Sequence, residues 1–337
     1  MLGLGNSLAL GGAIADLDFV TTWKTDNTGT SNDDQRTLPL VNGGSYSFTA
    51  DWGDDSSSTI TAWDDAAKTH TYSSSGTYTV TITGTIQGFY FNNGGDKAKI
   101  LTIENWGSLD ISTNGSFWGC TNLTCSASDA PTISVTNLTH TFRSCSNFNG
   151  AIGNWDVSSV TTLEGMFYDA LVFNQNISRW DVSKVANFAS LFRDCGSFNQ
   201  DISGWDVSSA TAMEYMFREP SGTNSFNQDL SSWDVSKVTS MLQMLNNLDA
   251  MTSANLGKVK DWTITALTGA ENFMNSCANS MSTADYDALL VAWEGQTHED
   301  DVTIHFNAAT YTDSSSASTA RAALVTDGWT ITDGGTA

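Results

Sequence analysis

Between residues 150 and 265 the apolar positions return on a fixed schedule. Trp155, Trp180 and Trp205 stand 25 residues apart, and Trp233 and Trp262 follow after 28 and 29. The words around them repeat as NWDVSSV, RWDVSKV, GWDVSSA and SWDVSKV. A period of this length predicts a repeat architecture, in which each unit buries its apolar face against the next. Within a unit, Val160, Leu163 and Phe167 have helical spacing, as do Val185, Phe188 and Phe192, and Ala210, Met213 and Phe217. Thr161–Glu164, Thr211–Glu214 and Thr268–Glu271 each fit the T-x-x-E capping box of a helix start. The pattern therefore predicts, per unit, a short strand near Trp-Asp-Val, a short helix, and a turn at Phe-Asn-Gln. Phe117, Phe142, Phe167, Phe192 and Phe217 form one further column, and Cys120, Cys145, Cys195 and Cys277 another.

Upstream the period changes from 25 to two. SYSFTADWG, KTHTYSSSG and TYTVTITGTI alternate apolar residues with Thr and Ser, punctuated by Gly, Asn and Asp. Tyr78, Val80 and Ile82 fall on one face, with Thr77, Thr79, Thr81 and Thr83 on the other, which predicts a small antiparallel sandwich over residues 17–100. Residues 1–16 are apolar and glycine-rich, a poor helix on their own. They read as an arm, with Leu2, Leu4, Leu8 and Leu10 available to dock on another subunit. Downstream of the repeats, Ser282 is placed to cap a helix through Trp293, Val302–Phe306 reads as a strand, Ala317–Val325 as a helix and Gly328–Thr332 as a final strand. The expected fold class is mixed β and α/β: an arm (1–16), a small β-sandwich (17–100), a repeat solenoid (101–281) and an α/β C-terminal cap (282–337).

Charge narrows the function classes. The chain has 14 basic against 37 acidic residues, a net −23. That disfavours nucleic acid, whose phosphates need Lys and Arg, and anionic membrane surfaces. No stretch is long and apolar enough to predict membrane insertion. The five cysteines are odd in number, and four share one repeat register, which favours packing over a disulfide framework.

Two resemblances follow from these words. Trp52, Gly53, Asp54, His70, Tyr72, Gly76, Tyr78 and Val80 resemble the signature of PKD-type immunoglobulin-like domains, with Asp55 standing where that family usually has Gly. FNQDISGWDVSSATAMEYMF and FNQDLSSWDVSKVTSM resemble the repeats of BspA-like leucine-rich-repeat surface proteins. The opening FVTTWKTDN, the segment GFYFNNGGDKAKILTIENWG and the closing residues are also similar to what flanks such repeats. The resemblance implies a leucine-rich-repeat solenoid displayed on a cell or particle and touching host molecules.

Each chemistry-bearing column has a binding reading and a packing reading. Asp156, Asp181, Asp206 and Asp234 form either a cation-binding ladder or turn caps accepting backbone N–H groups; the second is favoured, since a packed repeat must satisfy its buried backbone. Asn149, Asn174, Asn199 and Asn227 read as an asparagine ladder joining units rather than ligand contacts. The cysteine column has no C-x-x-C pair and no His in register, so it reads as small apolar filler, with Cys125 unplaced. The repeat tryptophans read as core. Trp63 and Trp106 break the register and are candidates for exposed contacts. Asp51, Asp54 and Asp55 beside Gly53 are candidate calcium ligands, although no D-x-D-x-D-G loop is present and a plain β-turn is the competing reading. Otherwise no cofactor is implied.

No G-x-S-x-G, H-E-x-x-H, P-loop or dinucleotide fingerprint is present, so an enzyme is not expected. The leading expectation is a structural or binding protein on the exterior of a phage virion, a head decoration or fibre component held by its arm. It rests on the absence of a basic region before Lys24 and of a sorting segment after the closing cap. The alternatives are a secreted bacterial cell-surface adhesin and a carbohydrate-binding module. Expected partners are other virion or surface proteins, a host-surface protein or glycan, and further copies of the chain.

Overall fold

The computed structural model describes residues 17–220 and 224–337. The arm residues Leu2, Leu4, Leu8 and Leu10 lie outside them. The first ten strands are β1 (Phe19–Lys24), β2 (Gln35–Thr37), β3 (Tyr46–Asp51), β4 (Ser57–Ile60), β5 (Thr69–Thr71), β6 (Thr77–Gln87), β7 (Ile100–Asn105), β8 (Leu109–Ile111), β9 (Thr124–Cys125) and β10 (Thr132–Ile133). Eight of them make one sheet in the order β10-β8-β6-β1-β7-β9, with β3 joined to β6 and β4 to β3; β2 and β5 form a separate pair. Alternation does what the period predicted: Phe19, Thr21 and Trp23 of β1 and Tyr46, Phe48 and Ala50 of β3 are buried, and their Thr and Ser neighbours on β3 face out. The sheet does not stop at residue 100. Ile100, Thr102, Ile103 and Asn105 pair with β1, and β8, β9 and β10 extend it in parallel, so the first repeat units grow from the sheet edge.

A buried polar clamp organises the loop before β2. Asp96 is 1% exposed and accepts from Thr30 N (2.9 Å), Ser31 N (3.0 Å), Ser31 Oγ (2.7 Å) and Thr37 N (2.7 Å). The Lys99 ammonium, equally buried, donates to Ser31 O (3.0 Å), Asn32 O (2.8 Å) and Gln35 O (2.9 Å). Next to it the Arg36 guanidinium lies 4.3 Å from the Trp23 ring and 4.8 Å from that of Trp52. Burial pulls its pKa down to about 10.

The repeats correct the expected fold class. They do not build a leucine-rich-repeat solenoid, and the chain is mostly β in several small sheets with few helices. Among the described residues no strand and no helix occurs from 134 to 252. The cause is backbone handedness. His140 and Ser144, Gly165 and Asp169, Ser190 and Asp194, Gln243 and Asn247, and Asn272 and Ser276 all have positive φ, at two places per unit. A left-handed residue cannot sit inside an α-helix, and Gly, Asn, Asp, Ser and His adopt it at modest cost. Each unit is instead a run of tight turns. Met166, Tyr168 and Ala170 donate to the carbonyls of Leu163, Gly165 and Phe167, three residues back. The alternate residues Leu163, Gly165, Phe167 and Asp169 donate outward to Asn187, Ala189, Leu191 and Arg193 of the following unit. Single-residue parallel bridges mark this ladder at Asn137, Thr162, Asn187, Ala212, Ser240 and Gly269. The capping boxes are also corrected: Thr161, Thr211 and Thr268 donate their hydroxyls to Thr136 O, Ala186 O and Thr239 O of the preceding unit.

Two phenylalanine columns fill the interior. Phe117, Phe142, Phe167, Phe192 and Phe217 follow one another at 5.6, 5.9, 5.8 and 5.7 Å between centroids, their planes within 18°. Phe148, Phe173, Phe198 and Phe226 run beside them, 3.8–4.2 Å from the first column in the facing pairs. Such contacts contribute roughly 0.5–1.5 kcal/mol each beyond area burial.

At the C-terminal end come a one-turn helix α1 (Ser253–Leu256), then α2 (Thr283–Glu294), β11 (Thr303–His305), β12 (Thr310–Tyr311), α3 (Ser316–Thr326), β13 (Thr330–Thr332) and β14 (Gly335–Thr336). Ser282 caps α2 through Asp285 N, and Ser315 with Ser318 forms a capping box on α3. These segments do not form one α/β sheet: β11 pairs with β13 and β12 with β14, as two separate parallel pairs. The bridge from Ala270 to Ile304 attaches the first pair to the last repeat unit. Among the described residues no helix is long and apolar enough to cross a membrane.

Candidate functional site

The outward turns carry a column that the sequence reading missed. Trp118, Arg143, Tyr168 and Arg193 each follow a residue of the first phenylalanine column by one position, so each points away from the core. Tyr215, held at φ +58°, joins them. The Arg143 guanidinium lies 4.8 Å from the Trp118 ring and 4.4 Å from that of Tyr168. Arg193 lies 4.7 Å from Tyr168 and 5.4 Å from Tyr215. Aromatic and cationic groups thus alternate along one half-exposed face. Each contact contributes about 0.5–1 kcal/mol at such exposure.

The electrostatics of this face are local. His140 leans on Trp118 at 4.9 Å, and its Nε2 sits 3.2 Å from Arg143 Nη1. Burial, helped by that guanidinium, pulls the imidazole down to about 4. It is therefore neutral at pH 7 and accepts from the arginine. Asp194 lies beside Arg193, Oδ2 to Nε 3.5 Å. Its pKa is raised by burial and by Glu219, against the pull of Arg193 and Arg218. The guanidinium faces are covered by rings, Arg143 Nη1 is engaged with His140, and Arg193 Nε is buried. This half-exposed face offers guanidinium groups and aromatic rings.

The columns singled out in the sequence are placed as follows. Asn149 Oδ1 accepts Asn174 N (2.9 Å) and Gln175 Nε2 (3.0 Å). Asn174 does the same for Asn199 N (3.0 Å) and Gln200 (2.9 Å), Asn199 for Asn227 N (2.9 Å) and Gln228 (2.8 Å), and Asn227 for Thr252 N (2.9 Å) and Asn255 (2.9 Å). The indoles of Trp180, Trp205, Trp233 and Trp262 donate to Ile152 O, Ile177 O, Ile202 O and Leu230 O. Trp155 is buried too, but its Nε1 has no acceptor. Asp156, Asp181, Asp206 and Asp234 accept Ser158, Ser183, Ser208 and Ser236 N–H in local turns. Cys120, Cys145, Cys195 and Cys277 are buried thiols. Burial pushes all four up, Cys277 to about 11. Cys125, half-buried, lies against Gly150, where an added Cβ would meet its own Cβ at 2.6 Å.

Asp51, Asp54 and Asp55 do not converge. Asp51 accepts Gly53 N (2.9 Å), Asp54 accepts Ser56 N (3.2 Å) and faces His70 Nε2 (2.8 Å), and Asp55 takes φ +64°. Among the described residues no cluster of three or more His, Cys, Asp or Glu is placed to hold a metal. Trp63 is 40% exposed beneath the Lys68 ammonium. Trp106 is corrected: it is fully buried, edge-on to Trp155 and Phe117.

Fold and site together define a mostly β protein built of short repeated turn units. Residues 111–225 and 221–286, just over half of the chain, match the family described as "Mycoplasma protein of unknown function, DUF285", and the chain belongs to that family. No curated protein and no solved structure matches the chain.

Proposed function

We propose that the protein is a non-enzymatic display protein, carried on the exterior of a phage particle, that meets a host-surface partner through the face bearing Trp118, Arg143, Tyr168, Arg193 and Tyr215. One observation carries this reading. The recurring Asn and Trp groups are consumed in holding units together and the Asp groups in local turns, whereas the Arg–aromatic column stays half-exposed. Tyr, Trp and Arg are the residues most often central to recognition surfaces. The net charge of −23 turns such a surface away from nucleic acid, and the resemblance of the repeats to BspA-like surface proteins supports display. Immunogold electron microscopy with an antibody to this chain tests it. Label on intact particles is expected, and label on intact cells would favour the adhesin reading. Label confined to the cell interior would end both.

A further inference from the structure

A cavity of about 400 Å³ opens where the N-terminal sheet meets the first repeat units. The turn after Leu40, the end of β6 and the loops that follow β8 and β10 line it, and it is open to solvent. Its position at a junction and its volume suit a small-molecule site, which typically spans roughly 300–1,000 Å³.

The walls are held before any ligand arrives. The Tyr46 hydroxyl accepts from Val41 N (2.9 Å) and lies 2.8 Å from Gly88 O, fixing the turn. Gly43 adopts φ +93°, with nothing near the position a Cβ would take. Asp110 sits behind the wall, accepting from Gln87 Nε2 (2.8 Å) and Ser134 N (3.2 Å).

The lining is chemically selective. In a chain with 37 acidic residues, none of the lining side chains is charged. The carboxamide of Asn42, the hydroxyls of Ser112 and Ser134 and the free oxygen of Gln87 supply donors and acceptors, while Val41 and Val135 supply apolar wall. An anion would find no cation here and would enter against the field of the whole protein. A cation would find no carboxylate in the lining. An apolar ligand would find only Val41 and Val135 to cover it. A ring carrying several hydroxyls between C–H patches satisfies all the walls at once.

We propose that this cavity binds a neutral hexose-type sugar, as the terminal residue of a glycan. The proposal gives chemistry to the host-surface partner of the display reading and rests on that reading for its purpose, but it uses a site separate from the Arg–aromatic face. Saturation-transfer NMR on the full chain tests it, with glucose, galactose, mannose and N-acetylglucosamine as probes and glucuronate and glucosamine as charged comparators. At least one neutral sugar should bind with Kd of about 1 mM. Ser112→Trp, which fills the cavity, should abolish binding, and Asn42→Ala should weaken it about 5-fold. The double variant Arg143→Ala/Arg193→Ala should bind as the parent does. Circular dichroism confirms that each variant is folded. The proposal is overturned by no neutral-sugar binding up to ~50 mM, by preference for a charged comparator, or by binding unchanged in folded Ser112→Trp. Sugar binding lost only in the arginine double variant would place the sugar on the other face and leave the display reading standing.

Discussion

Replacing Asn174 with alanine removes one oxygen and deprives two donors of it. Asn199 N–H reaches that oxygen at 3.0 Å and Gln200 Nε2 at 2.9 Å, both from the following unit. The backbone donor is half-buried and has no second acceptor, so its loss costs about 1–3 kcal/mol, and the side-chain bond adds about 0.5–1.5. Water reaches the rim of this turn, which favours the lower half of the sum, about 2–3 kcal/mol. Repeat chains need not unfold in one step, so a single midpoint is a poor readout. Amide hydrogen exchange resolves the effect: Asn199 should lose about 30–100-fold in protection, while Asn149-linked Asn174 N–H keeps its own. Asn174→Asp retains the oxygen and should lose far less. If Asn174→Asp and Asn174→Ala exchange alike, or if Asn199 keeps its protection in the alanine variant, the ladder does not join the units as described.

Other expectations concern the clamp, the aspartates and the thiols. Lys99→Met should destabilise the N-terminal sheet by about 3 kcal/mol, because it leaves the carbonyls of Ser31, Asn32 and Gln35 without their donor, at about 1–3 kcal/mol for each one kept from water; chemical denaturation followed by the fluorescence of Trp23 and Trp52 reads this. Asp156, Asp181, Asp201 and Asp234 are held below the usual carboxylate value of 3.8, first by hydrogen bonds from Ser158, Ser183, Ser203 and Ser236. A depressed folded pKa gives stability that is complete above 3.8 and lost as pH falls through the lowered values. The thermal midpoint should therefore begin to fall below about pH 6.5, where His140 is protonated in the unfolded chain while the fold holds its imidazole down to about 4, and fall further below about pH 4 as the aspartates lose their hydrogen-bonded charge; a midpoint that rose on acidification would contradict this. In native protein a thiol reagent should label Cys125 first, since Cys120, Cys145 and Cys195 are sealed in the core, and all five cysteines only in denaturant. Rapid native labelling of the buried column would show that the units open.

Spacing revealed which residues share a column but not the backbone that connects them. Val160, Leu163 and Phe167 point inward from consecutive tight turns as readily as from a helix, because both conformations return the chain to the core every three to four residues. What separates them is the left-handed residue at two places per unit, and Ser190, Asp194 or Tyr215 does not announce positive φ as glycine would. By contrast, Ser282 and Ser315 cap real helices, where polar residues precede an apolar run of sufficient length. The Arg–aromatic column escaped notice because its members share a register and not a residue type. Trp118, Arg143, Tyr168 and Arg193 are recognisable only once the phenylalanine before each is known to stack. Asp96 and Lys99 carry no motif at all; their partners lie some 60 residues away in the chain.

The alternation of inward and outward N–H groups along each turn run has a consequence for the length of the molecule. A unit presents to its successor the same set of donors that its predecessor presented to it, so one whole period is its own replacement part. Excising 25 residues, for example 171–195, would bring Leu163, Gly165 and Phe167 opposite the carbonyls of Ala212, Glu214 and Met216, which now serve Phe188, Ser190 and Phe192. Losing a single residue would instead set donor against donor. The reach of such a protein can therefore lengthen or shorten in whole units, with both ends left unchanged.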